Sequence, residues 1–127
     1  MIKAQFLKSD FHPQLLLVGE QAEFLKFKNF LEDFLKMNDF NKNLSDYGID
    51  ATGFSLKCEK VTGQGNGLSQ QGDTLTLQLN QQQLEHYIAL VDDFLHEDTT
   101  AASCILDQLI LDEVRIHLSF GEFDHDF

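Results

Sequence analysis

Hydrophobic residues recur along this chain at two spacings, and the longer spacing is typical of helices. In residues 20–38 an apolar side chain recurs every three or four positions, which places these side chains on one helix face. That face is formed by Phe24, Phe27, Leu31, Phe34 and Leu35, and is widened by Leu25 and Phe30. Residues 81–97 repeat the spacing with Leu84, Tyr87, Ile88, Val91, Phe94 and Leu95. The sequence therefore predicts two amphipathic helices, with Asn80 as the N-cap of the second and Gln83 completing a capping box.

The shorter spacing is an alternation of apolar and polar residues, which is typical of strands. It predicts strands at 2–8, 54–61, 74–79 and 114–120, while 15–18 fits either a strand or the lead-in to the first helix. Residues 62–73 hold four of the eight glycines and predict a flexible loop that joins 54–61 and 74–79 as a hairpin. Residues 101–111 fit a buried strand or a short helix, and the helix is favoured.

These elements predict the fold class. A chain of 127 residues with 43% hydrophobic residues and twelve phenylalanines is expected to form one domain, residues 1–127. The hairpin and the last strand need no long crossover. We therefore expect an α+β fold in which an antiparallel sheet of about four to five strands packs with two main amphipathic helices.

The charge of the chain lies almost entirely in its second half. Residues 1–60 hold nine acids and eight lysines, whereas residues 61–127 hold twelve acids and a single cation, Arg115. A surface of one sign speeds association with an oppositely charged partner and repels nucleic acid and anionic membrane. We therefore expect a basic protein partner, no nucleic-acid partner and no membrane partner.

The chain start and the cysteines bear on location. No basic segment followed by a long apolar run opens the sequence, and no run reaches the roughly 18 apolar residues of a membrane span. Cys58 and Cys104 have no metal-ligand spacing and are expected to be free thiols, although one disulfide in an oxidising compartment stays possible. A cytoplasmic protein is the expectation.

Candidate catalytic chemistry is weak throughout the sequence. The Gly-rich stretch 63–67 lacks the continuation of a dinucleotide or P-loop motif, and no nucleophile elbow is present. The plausible metal ligands are Glu113, His117, Asp124, His125 and Asp126, but no two of them have the fixed spacing of a metal motif. We predict no catalytic residue, no cofactor, no metal and no enzymatic activity.

Two stretches resemble a known class of protein. The first runs from 63 to 94 and combines Gly65-Asn66-Gly67, the strand 74–79 and a Gln-rich helix start; the second is the strand 113–120 with its acidic tail. Together they cover about half of the chain. They resemble the small acidic immunity proteins of bacterial contact-dependent growth inhibition and related polymorphic toxin systems. The resemblance implies stoichiometric inhibition of a cognate toxin domain, often a nuclease with a basic groove.

The predicted partner-binding face combines the acids that end the second helix with the C-terminal tail. Its members are Asp92, Asp93, Glu97, Asp98, Glu122, Phe123, Asp124, Asp126 and Phe127. Two alternatives stay open. One is an acidic adaptor or secretion chaperone, which would hold a partner polypeptide in an apolar groove, and the other is a metal-dependent enzyme that uses His117 and His125. The sequence leaves the oligomeric state open.

Overall fold

The chain has an α+β fold that contains both helices and strands. The computed structural model describes residues 1–8, 13–37, 40–110 and 113–121. Within these ranges the strands are β1 (Ile2–Leu7), β2 (Gln14–Val18), β3 (Ile49–Ala51), β4 (Ser55–Lys60), β5 (Gly67–Gln71), β6 (Thr74–Leu79), β7 (Ala102–Leu106) and β8 (Arg115–Phe120). The helices are α1 (Phe24–Lys36) and α2 (Gln81–Leu95), and short 3-10 turns lie at Gln21–Glu23 and Leu44–Tyr47.

The strands form two mixed sheets, so the prediction of an antiparallel sheet of four to five strands was wrong. The first sheet has the order β3-β1-β2-β8-β7, and the second has the order β4-β6-β5. β1 pairs parallel with β3, β2 with β8, and β4 with β6, whereas the other pairs are antiparallel. The backbone N–H of Val114 donates to the carbonyl of Leu68 at 2.8 Å and joins the sheets.

The predicted hairpin was also wrong, because a strand was hidden in its loop. β5 lies in the Gly-rich segment and pairs antiparallel with β6 through a two-residue turn, where Gly72 has a φ of 64°. A glycine in this left-handed region suits such a tight hairpin turn. β4 pairs with the far edge of β6 in parallel register. The flexible loop expected at 62–73 is therefore shorter than the sequence indicated.

Residues 101–111 contain a strand, so the favoured helix was wrong. Ala102, Cys104 and Leu106 turn inward on β7, while Ser103 and Ile105 are exposed. The same apolar residues also fit helical spacing, and the pairing of β7 with β8 decides between the two forms. The segment 15–18, for which both a strand and a helix lead-in were open, is the strand β2.

One hydrophobic core lies between the helices and the sheets. The aromatic face of α1 is buried as predicted, with Phe24, Phe27, Phe30 and Phe34 inside, but Leu25 is exposed. Phe24 meets Phe94 of α2 with ring centroids 5.1 Å apart, and Phe94 meets Phe120 of β8 at 5.0 Å. Among the described residues, no helix has the length and apolar character needed to cross a membrane.

Candidate functional site

Four acids at the C-terminal end of α2 form what we call the acidic cluster, namely Asp92, Asp93, Glu97 and Asp98. The buried stripe of α2 holds the helix against the core and turns these residues outward. Asp93, Glu97 and Asp98 are exposed, while Asp92 is half-buried. Acids near a helix C-terminus face the negative end of the helix dipole, which disfavours them. No basic residue compensates in the last turn of α2, so helix stability does not account for this charge.

Asp92 differs from the rest of the cluster because α1 neutralises it. Lys28 Nζ lies 2.8 Å from Asp92 Oδ1, in an ion pair across the two helices. The hydrogen bond from Lys28 lowers the pKa of Asp92, and the same bond raises the pKa of Lys28. In the acidic cluster, Asp93, Glu97 and Asp98 therefore remain without a described ion-pair partner.

The end of α2 is fixed in place by Gln21, a residue that the sequence analysis missed. Its side-chain amide donates to the carbonyls of Phe94 and Leu95, both at 3.2 Å, and of Glu97 at 2.8 Å. Terminal helix carbonyls otherwise lack partners. Because Gln21 satisfies them from another segment, the acidic cluster is held on an ordered backbone.

The end of β8 lies beside this cluster. Phe120 packs against Phe94, and a Cβ added to Gly121 would overlap the carbonyl of Thr100, just after the cluster. Gly121 therefore lies next to the segment that follows the acidic cluster. The predicted tail residues Glu122, Phe123, Asp124, Asp126 and Phe127 lie outside the described residues, as does His125.

The candidate metal ligands do not come together in the described part of the chain. Glu113 was expected on the same strand face as His117, but it precedes β8 and accepts backbone N–H groups from Gln108 at 2.8 Å and Ile110 at 3.2 Å. Burial is the largest influence on its carboxyl and raises its pKa. No group of three or more potential ligands forms among the residues described.

The glycine loop 63–67 packs against the start of α2. Gln83 accepts from the backbone N–H of Gly65 at 2.9 Å and donates to its carbonyl at 3.0 Å. The same side chain accepts from the N–H of Asn80, and Asn80 accepts from the N–H of Gln83, both at 2.8 Å. The predicted capping box is confirmed, and the helix start clamps the glycine loop.

The thiols are poor nucleophiles in this fold. Cys58 lies on β4 and Cys104 on β7, in different sheets. Burial raises the pKa of Cys58 to about 12 and that of Cys104 to about 11. Since the thiolate is the reactive form, both side chains react slowly near neutral pH.

Leu109 is an exposed apolar residue in the segment for which the sequence favoured a helix. Its side chain is 84% exposed and its φ is 55°, in the left-handed region. This conformation costs a residue such as leucine about 1–2 kcal/mol. Its signal in the sequence was the apolar pattern 105–110, which instead suggested a helix.

Leu109→Asn is expected to stabilise the fold. Asparagine tolerates the left-handed region, and no buried contact is lost, so the free energy of unfolding should rise by about 0.5–1 kcal/mol. Urea unfolding of the variant and the wild type measures the difference. A loss of stability would show that the side chain of Leu109 makes a contribution that its exposure hides.

Comparisons with protein-family models, with curated proteins and with solved structures produced no match to this chain.

Proposed function

We propose that this protein is an immunity protein that binds and inhibits a basic, nuclease-like toxin domain by stoichiometric occlusion. The observation that supports the proposal is the unpaired acidic end of α2, beside the end of β8, in a half of the chain with twelve acids and one arginine. A cytoplasmic, non-catalytic inhibitor needs no cofactor and no metal of its own.

Electrostatics explains why such a surface suits this role. A nuclease must neutralise phosphates, so its substrate groove is basic. Asp93, Glu97 and Asp98 project into solvent without a described cation partner, and they attract a basic groove over several ångströms. Complementary charge of this kind raises association rates to about 10⁸ M⁻¹s⁻¹ at low salt. Occupation of the groove then excludes the nucleic-acid substrate.

The position of the acids also favours binding over a structural role. Lysine or arginine in the last turn would stabilise the end of a helix. α2 has acids there, and the Gln21 amide, which is neutral, holds its end. Departures from local preference of this kind are expected at functional sites.

The first experiment identifies the partner by affinity capture from the native cells at about 50 mM and about 500 mM salt. The proposal expects one basic protein in near-equal amount, captured less rapidly at high salt. The purified partner should lose its activity at a 1:1 ratio with this chain. Partners held equally well at both salts would favour the adaptor alternative instead.

Charge reversal then tests the face. Asp93→Lys is expected to slow association with the captured partner about tenfold at about 50 mM salt and to change dissociation little, because rim charges act mainly on encounter. Asp50→Lys on β3 makes the same charge change at another exposed acid and is the matched control. Stopped-flow or biolayer measurements give both rates. Equal slowing by the two variants would assign the effect to net charge and remove the acidic cluster from the interface.

A further inference from the structure

The two sheets have four edge strands, and one of them differs from the others. β3 has three residues and includes Asp50. β4 includes Lys57, Glu59 and Lys60. β5 is tied to the other sheet through Leu68 and Val114. Short length, charge and cover are the usual protections of an exposed strand edge.

β7 has none of these protections in the described structure. Residues 99–106 contain no charged residue, no proline and no glycine. β7 pairs with β8 on one side and has no described strand on the other. Ile105 on this strand is 48% exposed. An uncharged strand edge of this kind is a template for a further strand.

The hydrogen bonds of β8 establish which backbone groups of β7 face outward. The N–H of Arg115 donates to the carbonyl of Pro13, and the carbonyl of Ser119 accepts from Gly19, so the odd residues of β8 bond towards β2. Its even residues therefore bond towards β7, where they oppose Ala102, Cys104 and Leu106. Because backbone direction alternates along a strand, the N–H and C=O groups of Ser103 and Ile105 point to the open edge.

We propose that a second copy of this chain pairs antiparallel with β7 and joins the two five-stranded sheets into one of ten strands. Ser103 would lie opposite Ile105 of the partner subunit, and the twofold axis would pass between the two Cys104 residues. This register uses all four outward backbone groups of each strand. A register shifted to centre on Ser103 would use Ala101, whose N–H and C=O already bond the hydroxyl of Thr99.

A second copy suits this edge better than a basic polypeptide does. The strand is uncharged, so two copies pair without placing like charges opposite each other, and a basic segment gains no ion pair there. Ala102, Cys104 and Leu90 are only partly buried beside the edge, and the helix side of a paired sheet would cover them further. Cys104 Sγ already lies 3.9 Å from the carbonyl of Leu90.

The size and charge of the interface predict its strength. Two short strand edges bury less than the roughly 1,200 Å² of a stable complex, so we expect dissociation constants of about 10–100 μM. Each copy has a net charge of −12, and the copies repel. Salt screens this repulsion, so the dimer should strengthen with salt, whereas capture of a basic toxin should weaken.

Sedimentation equilibrium from about 5 to 500 μM, at about 50 and about 500 mM salt, tests the proposal. The expected result is a monomer–dimer equilibrium that shifts to dimer at high salt.

Ser103→Pro removes an outward N–H and leaves the bonds from β7 to β8 in place, and it should weaken the dimer at least tenfold. Ile105→Lys places two like charges at diagonal positions across the axis, about 7–8 Å apart, and should also weaken the dimer. Leu25→Lys introduces the same charge at a leucine of similar exposure on α1, and it should leave the dimer unchanged.

Covalent trapping provides a second measurement, which leaves Ser103 and Ile105 unchanged. In the proposed register the two Cys104 residues form a non-hydrogen-bonded pair with Cα atoms about 4.5 Å apart, within disulfide range. Burial raises the pKa of Cys104, so the oxidation is carried out at about pH 9, where more of the thiol is ionised. Diamide takes two electrons and two protons from the two thiols and leaves a disulfide. The Cys58→Ser variant should form this covalent dimer, and the Cys104→Ser variant should not.

Three results would overturn the proposal. They are a monomer at every concentration without a Cys104 crosslink, a dimer that persists in Ser103→Pro and Ile105→Lys, and a dimer that salt dissociates. If either edge variant fails to fold by circular dichroism, the other variant and the crosslink decide. The measurement uses the purified chain alone, so its failure leaves the inhibitor proposal standing, and the reverse also holds.

Discussion

Gly65→Ala is expected to lower the free energy of unfolding by about 3 kcal/mol, the upper range for overpacking. Gly65 is buried, and an added Cβ would overlap the carbonyl of Gln78 and crowd the Cα of Leu79. Both atoms belong to the backbone of β6, the central strand of the three-stranded sheet. That backbone cannot move aside without loss of its pairing with β4 and β5, and the Gln83 clamp would also break.

Gly63→Ala in the same loop is the matched control. A Cβ at Gly63 would meet no atom within 4 Å. Alanine there should change stability little or raise it by about 0.4–1 kcal/mol, because it reduces the freedom of the unfolded chain. Urea unfolding of both variants measures the contrast. Equal stabilities would mean that the glycine loop is mobile after all, as the sequence alone suggested.

Glu113→Ala should have the second-largest effect, a loss of about 2–3 kcal/mol. Both carboxylate oxygens of Glu113 lie 2.8 Å from the N–H nitrogen of Gln108, and one also accepts from Ile110. Alanine leaves these partly buried donors without their acceptor, and an orphaned donor costs about 1–3 kcal/mol. Asp107→Ala removes a nearby acid that is partly buried and pairs with the exposed Arg115 at 3.4 Å. It should cost about 1 kcal/mol, because Arg115 keeps its hydration and no buried donor is orphaned. A similar loss for both acids, by urea unfolding at pH 7, would contradict the special role of Glu113.

The same carboxyl predicts a dependence of stability on pH. Its pKa is raised in the folded protein, mainly by burial, so the folded state binds this proton more tightly than the unfolded state does. The resulting stabilisation is complete below the unfolded pKa of about 4.3 and is lost as the pH rises through the folded pKa. The stability of the wild type relative to Glu113→Gln should therefore fall from pH 4 towards neutrality. Urea unfolding at each pH unit checks the sign, and a constant or rising difference would refute it.

Local periodicity predicted the long elements well. The spacing of Phe24, Phe27, Leu31 and Phe34 located α1, and the capping residues Asn80 and Gln83 located the start of α2. Alternation located β1, β4, β6 and β8. These patterns are strong because burial on one face repeats over many consecutive residues, and such repetition is visible in the sequence without knowledge of the partner element.

Short or ambiguous strands were not predicted in the same way. β3 has only three residues. It forms because it pairs in parallel with β1, whose residues lie 47 positions earlier in the sequence. β5 begins in a glycine loop, where Gly65 and Gly67 are needed because a Cβ would overlap Gln78 or Glu113. The spacing of the apolar residues in 101–110 fits both a helix and a strand. Pairing with β8 is what makes 102–106 a strand.

The sequence by itself determined the two helices, the longer strands, the buried aromatic face of α1 and the grouping of four acids at the end of α2. Those features depend on residues that are neighbours in the chain. The tertiary structure decided that the sheets are mixed, that Lys28 neutralises Asp92, that Gln21 secures the end of α2 and that no described strand pairs with the outer side of β7. Each of these depends on which distant segments meet, and pairing between distant segments leaves no period in the sequence.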